Sequence, residues 1–256
     1  MEKVKTPGIV LYNRKFRESD KLVKILTRTH GKCMFFVRHA ANSKMTAMIQ
    51  PLAHGDFRLS LREEGLSYID DGDSIKTFTS IQSDLFAMSY ATYLLALVDA
   101  AFSDRVRDPI LFDQLLTLLE AMDEGKDPQL LAHILEIQML PLFGVSFDFS
   151  SCVVCGEIQG PFDLSIAYDG ILCSSHYHLD NKRLYLDPNI CYLLNLFQQV
   201  SLDQIGHLTL SDSLKRSLKQ TVDYLYDHYV GLRLKPKQFI DKLDDWASDS
   251  PLTSKL

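Results

Sequence analysis

Three cysteines and one histidine form the pattern in this sequence with the clearest chemistry. The cysteines, three of the five in the chain, fall within 22 residues, and the spacing is C-x2-C-x17-C-x2-H. The C-x2-C and C-x2-H segments, which we call the first and second hook, are separated by a spacer long enough for a hairpin. This arrangement is typical of a tetrahedral Zn²⁺ site, whose ligands are thiolates and imidazoles. The predicted ligands are Cys152, Cys155, Cys173 and His176. His178 competes with His176 for the fourth position.

The number of ligands predicts what such a zinc ion would do. A catalytic zinc keeps one position open for water, whereas four ligands within one small unit leave no vacancy. The deaminase and H-E-x-x-H zinc signatures are absent from the sequence, and so are the G-x-S-x-G and G-x-G-x-x-G motifs. We therefore expect a structural Zn²⁺ and no enzymatic activity. The remaining cysteines, Cys33 and Cys191, have apolar neighbours and are predicted to be buried thiols in a reducing compartment.

The elements that must position these residues change type near residue 80. Short runs of alternating apolar residues fill the first 80 positions and predict about five antiparallel strands in a small closed barrel. Helix signals follow, and the cysteine unit spans about 147–180. The predicted fold is therefore α+β, with an OB-fold nucleic-acid-binding domain at 1–80. A helical domain at 81–256 carries the zinc-finger-like insert.

Helix starts in the second part are marked by capping residues. Asp-Pro pairs predict helices beginning near residues 109, 128 and 188, and Asp212 opens a longer one that ends before Gly231 and Pro236. We expect the acidic tail from Asp244 to be frayed. The run from Leu85 to Phe102 is long and nearly uncharged, but its polar residues favour a core helix over a membrane span. No secretion leader is recognisable, so a cytoplasmic protein is expected.

Charge is distributed unevenly along the chain. The net charge is −6, yet residues 1–50 carry 11 Lys and Arg against 3 Asp and Glu. Aromatic residues are interleaved with this basic cluster, and that combination is typical of single-strand nucleic-acid binding. Lys and Arg also keep small β proteins soluble, which is the simpler alternative. The predicted DNA-binding residues are Arg14, Lys15, Arg17, Lys21, Arg28, Lys32, Arg38 and Lys44.

Three groups of short motifs, in this order along the chain, resemble the RecO family of bacterial recombination mediators. An E-S-D turn precedes a T-x-x-x-G-K hairpin, the C-x-x-C-G hook precedes G-I-L-C, and a C-terminal helix end completes the set. The segments are Gly8–Leu11, Phe16–Leu22, Thr27–Lys32, Leu142–Gly144, Cys152–Gly156, Gly170–Cys173, His228–Gly231 and Lys235–Phe239. Many members of the family have Cys at the position of His176.

The resemblance implies a non-catalytic role in DNA repair. It implies binding of single- and double-stranded DNA and annealing of complementary strands. It also implies work with RecR to load RecA onto DNA coated by the single-strand-binding protein SSB, whose C-terminal tail the helical domain would contact. The expected location is the cytoplasm, at the nucleoid and not at a membrane. The alternative is a protein–protein adaptor that recognises partners through its zinc unit and helices and binds little DNA itself.

Overall fold

The computed structural model describes residues 1–16, 18–40, 43–201 and 208–249. The chain divides into two compact units, which we describe separately. The first comprises Met1–Pro128 and Arg233–Leu256, and the second comprises Gln129–Leu232. The predicted domains, 1–80 and 81–256, follow the type of secondary structure, and that division stays a prediction.

A closed five-stranded barrel begins the first unit. Its strands pair in the order β1-β2-β3-β5-β4, and β3 and β5 run parallel while the other pairs are antiparallel. This is the connectivity of the OB fold, as predicted. A short helix, α1 (Ser43–Met48), lies between β3 and β4. The strands are β1 Glu2–Lys15, β2 Lys21–Thr27, β3 Gly31–Val37, β4 His54–Leu61 and β5 Ser67–Lys76.

The barrel interior is built from residues that alternate along the strands. Ile25, Phe35, Phe57 and Leu59 are fully buried there. Because successive side chains in a strand point to opposite faces, the neighbours of these residues form the outer surface. Phe35, one of the aromatic residues interleaved with the basic cluster, is therefore a core residue and not part of a binding surface.

Four helices complete the first unit. Asp84 caps α3 by accepting hydrogen bonds from two backbone N–H groups, and Asp108 caps α4 in the predicted way. No helix in the described part of the chain is long and apolar enough to cross a membrane. The helices are α2 Thr79–Ser83, α3 Leu85–Ala101, α4 Pro109–Asp123 and α8 Lys235–Asp249.

Helix α8 corrects the prediction for the C-terminal residues. The sequence predicts that Gly231 and Pro236 end the helix that begins at Asp212, but Pro236 lies in the first turn of α8, where a missing N–H costs nothing. The chain stays helical through Asp249, so the tail from Asp244 is not frayed over this span. Ile240 is fully buried, and α8 packs against α3.

The second unit combines three helices with a small sheet. The helices are α5 Pro128–Met139, α6 Pro188–Gln199 and α7 Asp212–Leu225, each beginning within a residue of its predicted position. A π-helical turn, Tyr226–Val230, ends at Gly231, whose positive φ of 65° suits glycine. Strands β6 Asp148–Cys152, β7 Phe162–Ser165 and β8 Gly170–Cys173 form a sheet in the order β6-β8-β7.

Candidate metal centre and nucleic-acid interface

The small sheet brings the two cysteine hooks together. Strand β6 ends at Cys152, and a tight turn follows in which the Gly156 N–H donates to the Cys152 carbonyl at 2.8 Å. Gly156 has a φ of 74°, so glycine suits this turn. Strand β8 ends at Cys173, and the 3₁₀ helix Ser174–Leu179 after it supplies His176.

The four side chains have the spacing of a tetrahedral metal site. All of their ligand atoms lie within 4.8 Å of one another. Nδ1 of His176 is 3.3 Å from Sγ of Cys173 and 3.6 Å from Sγ of Cys152, and Sγ of Cys155 is 3.8 Å from Sγ of Cys173. A tetrahedron with Zn–S bonds of about 2.3 Å has edges of about 3.8 Å, so these separations fit a Zn²⁺-sized ion. The cluster can hold a metal ion.

The backbone around Cys152 favours the thiolate that a metal requires. Burial raises the pKa of this thiol, but hydrogen bonds from the backbone N–H groups of Cys173, Val154 and Cys155 outweigh it and lower the pKa to about 6. Sulfur that accepts several backbone N–H groups is stabilised as an anion. The donors are thus arranged for a charged, metal-binding sulfur.

His176 and not His178 belongs to the ligand group. The two rings are 6.3 Å apart, and His178 is exposed and outside the cluster. The short 3₁₀ helix decides this, because residues two apart in it point in different directions.

Packing around the cluster holds both hooks in place. A Cβ at Gly170 would lie 2.4 Å from Cγ1 of Val153, so glycine permits the close approach of β8 to the first hook. Arg183 lies over the rings of Tyr177 and Tyr185, 4.5 and 4.3 Å from their centroids. Its Nε is also 3.0 Å from the carboxylate of Asp163. These contacts anchor the 3₁₀ helix that carries His176.

The other two cysteines lie apart from the metal centre. Cys33 and Cys191 are buried, as predicted. Burial raises the pKa of both thiols, and that of Cys191 rises to about 12. Both are therefore neutral packing groups.

A row of side chains crosses the outer surface of the barrel. Strand register pairs Arg14 with Leu22, Leu22 with Phe36, and Phe36 with Tyr68. Paired residues share one face of a sheet, and because Phe35 points into the core, this face is the outer one. A basic residue of β1 and aromatic residues of β3 and β5 therefore share the outer face, with buried Leu22 of β2 between Arg14 and Phe36.

Aromatic and guanidinium groups extend this row. Phe16, 47% exposed, meets Phe36 edge to face at 5.8 Å, and Phe36 meets Tyr68 at 6.2 Å. Arg38 lies over the Phe36 ring at 5.9 Å, and Arg62 lies over the Tyr68 ring at 5.1 Å. We call this surface the basic–aromatic face, and it comprises Arg14, Phe16, Phe36, Arg38, Arg62 and Tyr68.

The basic–aromatic face has the properties that single-stranded nucleic acid requires. It includes an open depression of about 570 Å³ lined by Phe36, Arg38, Arg62 and Tyr68. Rings can stack with bases of any sequence, while the guanidinium groups meet phosphates. Lys15 is exposed and Lys21 half-buried, and these two pair across β1 and β2 at the adjoining strand ends.

Two of the predicted DNA-binding residues have partners within the fold. Lys32 is only 4% exposed, and its ammonium contacts the carbonyl and the carboxylate of Asp99 and lies 5.1 Å from the Phe102 ring centroid. Arg28 is exposed but forms a two-point ion pair with Asp113 at 2.8 and 2.9 Å. Both cations are therefore already neutralised by carboxylates of the protein. Arg17 and the side chain of Lys44 lie outside the described residues.

Sequence reasoning missed Arg62 and Tyr68. Both flank a turn-like, acidic stretch of sequence, which gave no sign of a binding surface. The parallel pairing of β3 with β5 brings Tyr68 beside Phe36, and that long-range register has no local signal.

Comparison with known families defines the class of protein to which this fold and site belong. Residues 1–78 match the family model "Recombination protein O N terminal", and residues 82–238 match "Recombination protein O C terminal". The class is a recombination protein with an OB-fold barrel, helices and a Cys3His cluster. The chain belongs to the Recombination protein O (RecO) family, as the sequence motifs predicted.

Curated relatives match over nearly the whole chain. The chain is 49% identical over 247 residues to a protein of Streptococcus suis, covering 96% of this chain and 95% of that one. It is 49% identical to a protein of Streptococcus mutans, with coverage of 96% and 98%. A Streptococcus pneumoniae protein is 48% identical, with coverage of 96% for both chains. Each of these relatives is named DNA repair protein RecO, and family membership supports a role in DNA repair and recombination.

Proposed function

We propose that the chain is a non-catalytic mediator of recombinational DNA repair that binds DNA through the basic–aromatic face. The observation that carries this proposal is the row from Arg14 to Tyr68, in which β1, β3 and β5 place one cation and two aromatic rings on one outer surface. It binds single strands by stacking bases on the rings, and both single and double strands by neutralising phosphates.

Local charge explains how a chain of net charge −6 binds a polyanion. Residues 1–50 carry 11 basic and 3 acidic residues, so the protein is basic where the barrel begins. Two cations elsewhere on the barrel are already paired with carboxylates. Arg58 contacts Asp71 and Asp73, and Lys5 lies 3.5–3.6 Å from Asp56 and Asp73. Such pairs neutralise these two cations, whereas Arg14 and Arg38 on the basic–aromatic face are exposed and form no ion pair among the described residues.

The metal centre has a structural role in this proposal. Cys152, Cys155, Cys173 and His176 would hold Zn²⁺, which supplies coordination bonds that tie the two hooks together. All four positions of a tetrahedral ion are filled by side chains, so no substrate position remains.

Membership in the family supports the finer steps of the proposal. The chain would anneal complementary strands in the cytoplasm, at the nucleoid. With RecR it would help to load RecA onto DNA coated by SSB, whose C-terminal tail it would contact. For annealing, base stacking on protein rings leaves the sugar–phosphate backbone ordered and extended, which lowers the entropic cost of pairing with a second strand.

An annealing assay tests the proposal. Complementary oligonucleotides, each coated with SSB, are mixed with the full chain, and duplex formation is followed by fluorescence energy transfer. We expect the wild-type chain to accelerate annealing and Phe36→Ala to lose at least about half of that acceleration, because a stacking ring contributes about 1–3 kcal/mol per base. Annealing at the uncatalysed rate with the wild-type chain contradicts the proposal.

A protein–protein adaptor is the second candidate, and the acidic remainder of the chain favours it. The chain has 33 acidic and 27 basic residues although its first 50 residues are basic. In this version the helices and the metal unit recognise partners, and a partner contacts DNA. A gel shift of a labelled single strand by the chain alone at low salt separates the two candidates, because only the mediator shifts it.

A further inference from the structure

A second cavity lies beside the basic–aromatic face, at the end of the barrel where β2 turns into β3. It has a volume of about 670 Å³, and Met1 and Arg62 line both this cavity and the depression on the face. The two are therefore adjacent, and Arg62 forms part of the wall of both. We call this cavity the arginine cleft, and its other charged or polar lining residues include Thr29, His30, Glu63, Glu64, Arg105 and Arg107.

The loop between α3 and α4 builds one wall of the arginine cleft and is fixed to the barrel. The backbone N–H of Arg105 donates to the Lys32 carbonyl at 2.9 Å. Its guanidinium donates to the carbonyls of Arg62 and Glu63. A Cβ at Gly31 would lie 2.1 Å from the Val106 carbonyl oxygen, so this contact requires glycine.

Backbone strain marks the same loop. Arg105 has a φ of 64°, a left-handed conformation that is costly for a residue with a side chain. Buried Lys24 anchors the loop further through its ion pair with Asp104. The loop is therefore preorganised, with Arg105 held against the barrel and Arg107 beside it on the cleft wall.

The two arginines of the α3–α4 loop differ in how many partners they have within the protein. Arg107 is exposed and forms no ion pair or hydrogen bond within the described chain. The guanidinium of Arg105, in contrast, already donates hydrogen bonds to two backbone carbonyls. Glu2, Glu63 and Glu64 also line the cavity, so the cleft is not uniformly cationic. Its volume lies within the range of about 300–1,000 Å³ that suits a nucleotide-sized group.

We propose that the arginine cleft continues the nucleic-acid path and binds a phosphate of the single strand that leaves the basic–aromatic face. This rests on the proposed function and adds a specific site to it. Arg107 contacts the phosphate, Arg105 holds the β4–β5 loop so that Arg62 bridges the two surfaces, and Glu64 opposes the bound anion. A substitution at Glu64 therefore acts in the opposite direction to one at Arg107.

The test compares variants in binding a labelled oligothymidylate of about 20 nucleotides, longer than the 4–16 that one OB barrel covers. Arg107→Ala should weaken binding about three- to tenfold and reduce the slope of log affinity against log salt by about 0.7, the value for one lost phosphate contact. Glu64→Gln should tighten binding about two- to threefold. Arg216→Ala, which removes an exposed charge from α7 in the other compact unit, is the matched control and should leave both quantities unchanged.

The outcomes distinguish failure of the arginine cleft from failure of the basic–aromatic face. Unchanged affinity and slope in Arg107→Ala, with weakened binding in Tyr68→Ala, overturns the arginine cleft and leaves the basic–aromatic face in place. Equal weakening by Arg216→Ala overturns the assignment to this cleft, because charge alone would then explain the effect. No binding by the wild-type chain at low salt overturns both the cleft and the proposed function. Melting temperatures of all variants verify that they remain folded.

Discussion

The fourth metal ligand is distinguished from its neighbour by the geometry of a single turn. His176 lies two residues before His178, and both follow Cys173 closely, so spacing alone left the choice open. The 3₁₀ helix directs Nδ1 of His176 to the two sulfur atoms of Cys152 and Cys173. The sequence predicted Cys152, Cys155, Cys173 and His176 with His178 as a competitor, and local backbone geometry places His176 in the cluster that could hold a metal ion.

Metal content gives the first prediction. Protein purified without added zinc should carry about one equivalent of Zn²⁺, because four ligands form a closed tetrahedral site. His176→Ala should lose most of the metal, and its matched control His178→Ala should keep it. Cys152→Ser should also lose the metal and destabilise the second compact unit by several kcal/mol, because metal-binding energy is folding energy. Elemental analysis and thermal melts are the measurements, and a metal-free, fully folded wild type contradicts the assignment.

Substitution of Lys32 in β3 should lower stability, whereas substitution of Arg38, directly after β3, should lower DNA affinity. Lys32 is buried against Asp99, so Lys32→Met should lower the free energy of unfolding by about 2 kcal/mol, the scale of a lost charged hydrogen bond. Arg38 is exposed over the Phe36 ring, so Arg38→Ala should weaken single-strand binding about five- to tenfold with little loss of stability. Urea melts and fluorescence anisotropy test the pair, and DNA affinity that depends on Lys32 but not on Arg38 would reverse the assignment.

Elements with local signals were predicted well. Alternation marked the barrel strands, and Asp-Pro pairs marked the starts of α4, α5 and α6 within a residue. Helix α8 was missed because Pro236 is compatible with both a helix end and a first turn. In the structure Ile240 is buried and α8 packs against α3, and such packing between distant segments is not visible in one sequence.

The packing of α8 gives a prediction at the element scale. Ile240 is 0% exposed, so Ile240→Ala should destabilise the protein by about 2–4 kcal/mol through the cavity it leaves. Its neighbour Phe239 is 47% exposed, and Phe239→Ala is the matched control, with an expected cost below about 1 kcal/mol. Chemical denaturation of both variants is the measurement. Equal, small costs would mean that α8 does not stabilise the first unit.

The barrel illustrates why a binding surface is harder to predict than the fold that carries it. Of the predicted DNA-binding residues, Arg14 and Arg38 reach the basic–aromatic face, while Lys32 and Arg28 are paired with Asp99 and Asp113. A count of basic residues identifies the first 50 residues as the basic part of the chain. It does not separate cations that stabilise the fold from cations that remain available to a ligand.

At the scale of the whole molecule, net charge conceals the distribution that matters. The chain is acidic overall, but its first 50 residues are strongly basic, and the second compact unit contains the Cys3His cluster that could hold a metal ion. The N- and C-terminal family models match residues 1–78 and 82–238 separately. We propose that the barrel contacts DNA and that the metal centre stabilises the fold of the second unit.

The most direct test of this account is the affinity of the isolated full chain for a labelled single strand as a function of salt. Three to five phosphate contacts predict a slope of log affinity against log salt of about −2 to −3.5. Tyr68→Ala should lower affinity about tenfold at fixed salt, because stacking on a ring is lost, with nearly the same slope. A wild-type chain that binds no single strand at low salt, or a Tyr68→Ala variant that binds as well as wild type, would contradict the basic–aromatic face as the DNA-binding surface.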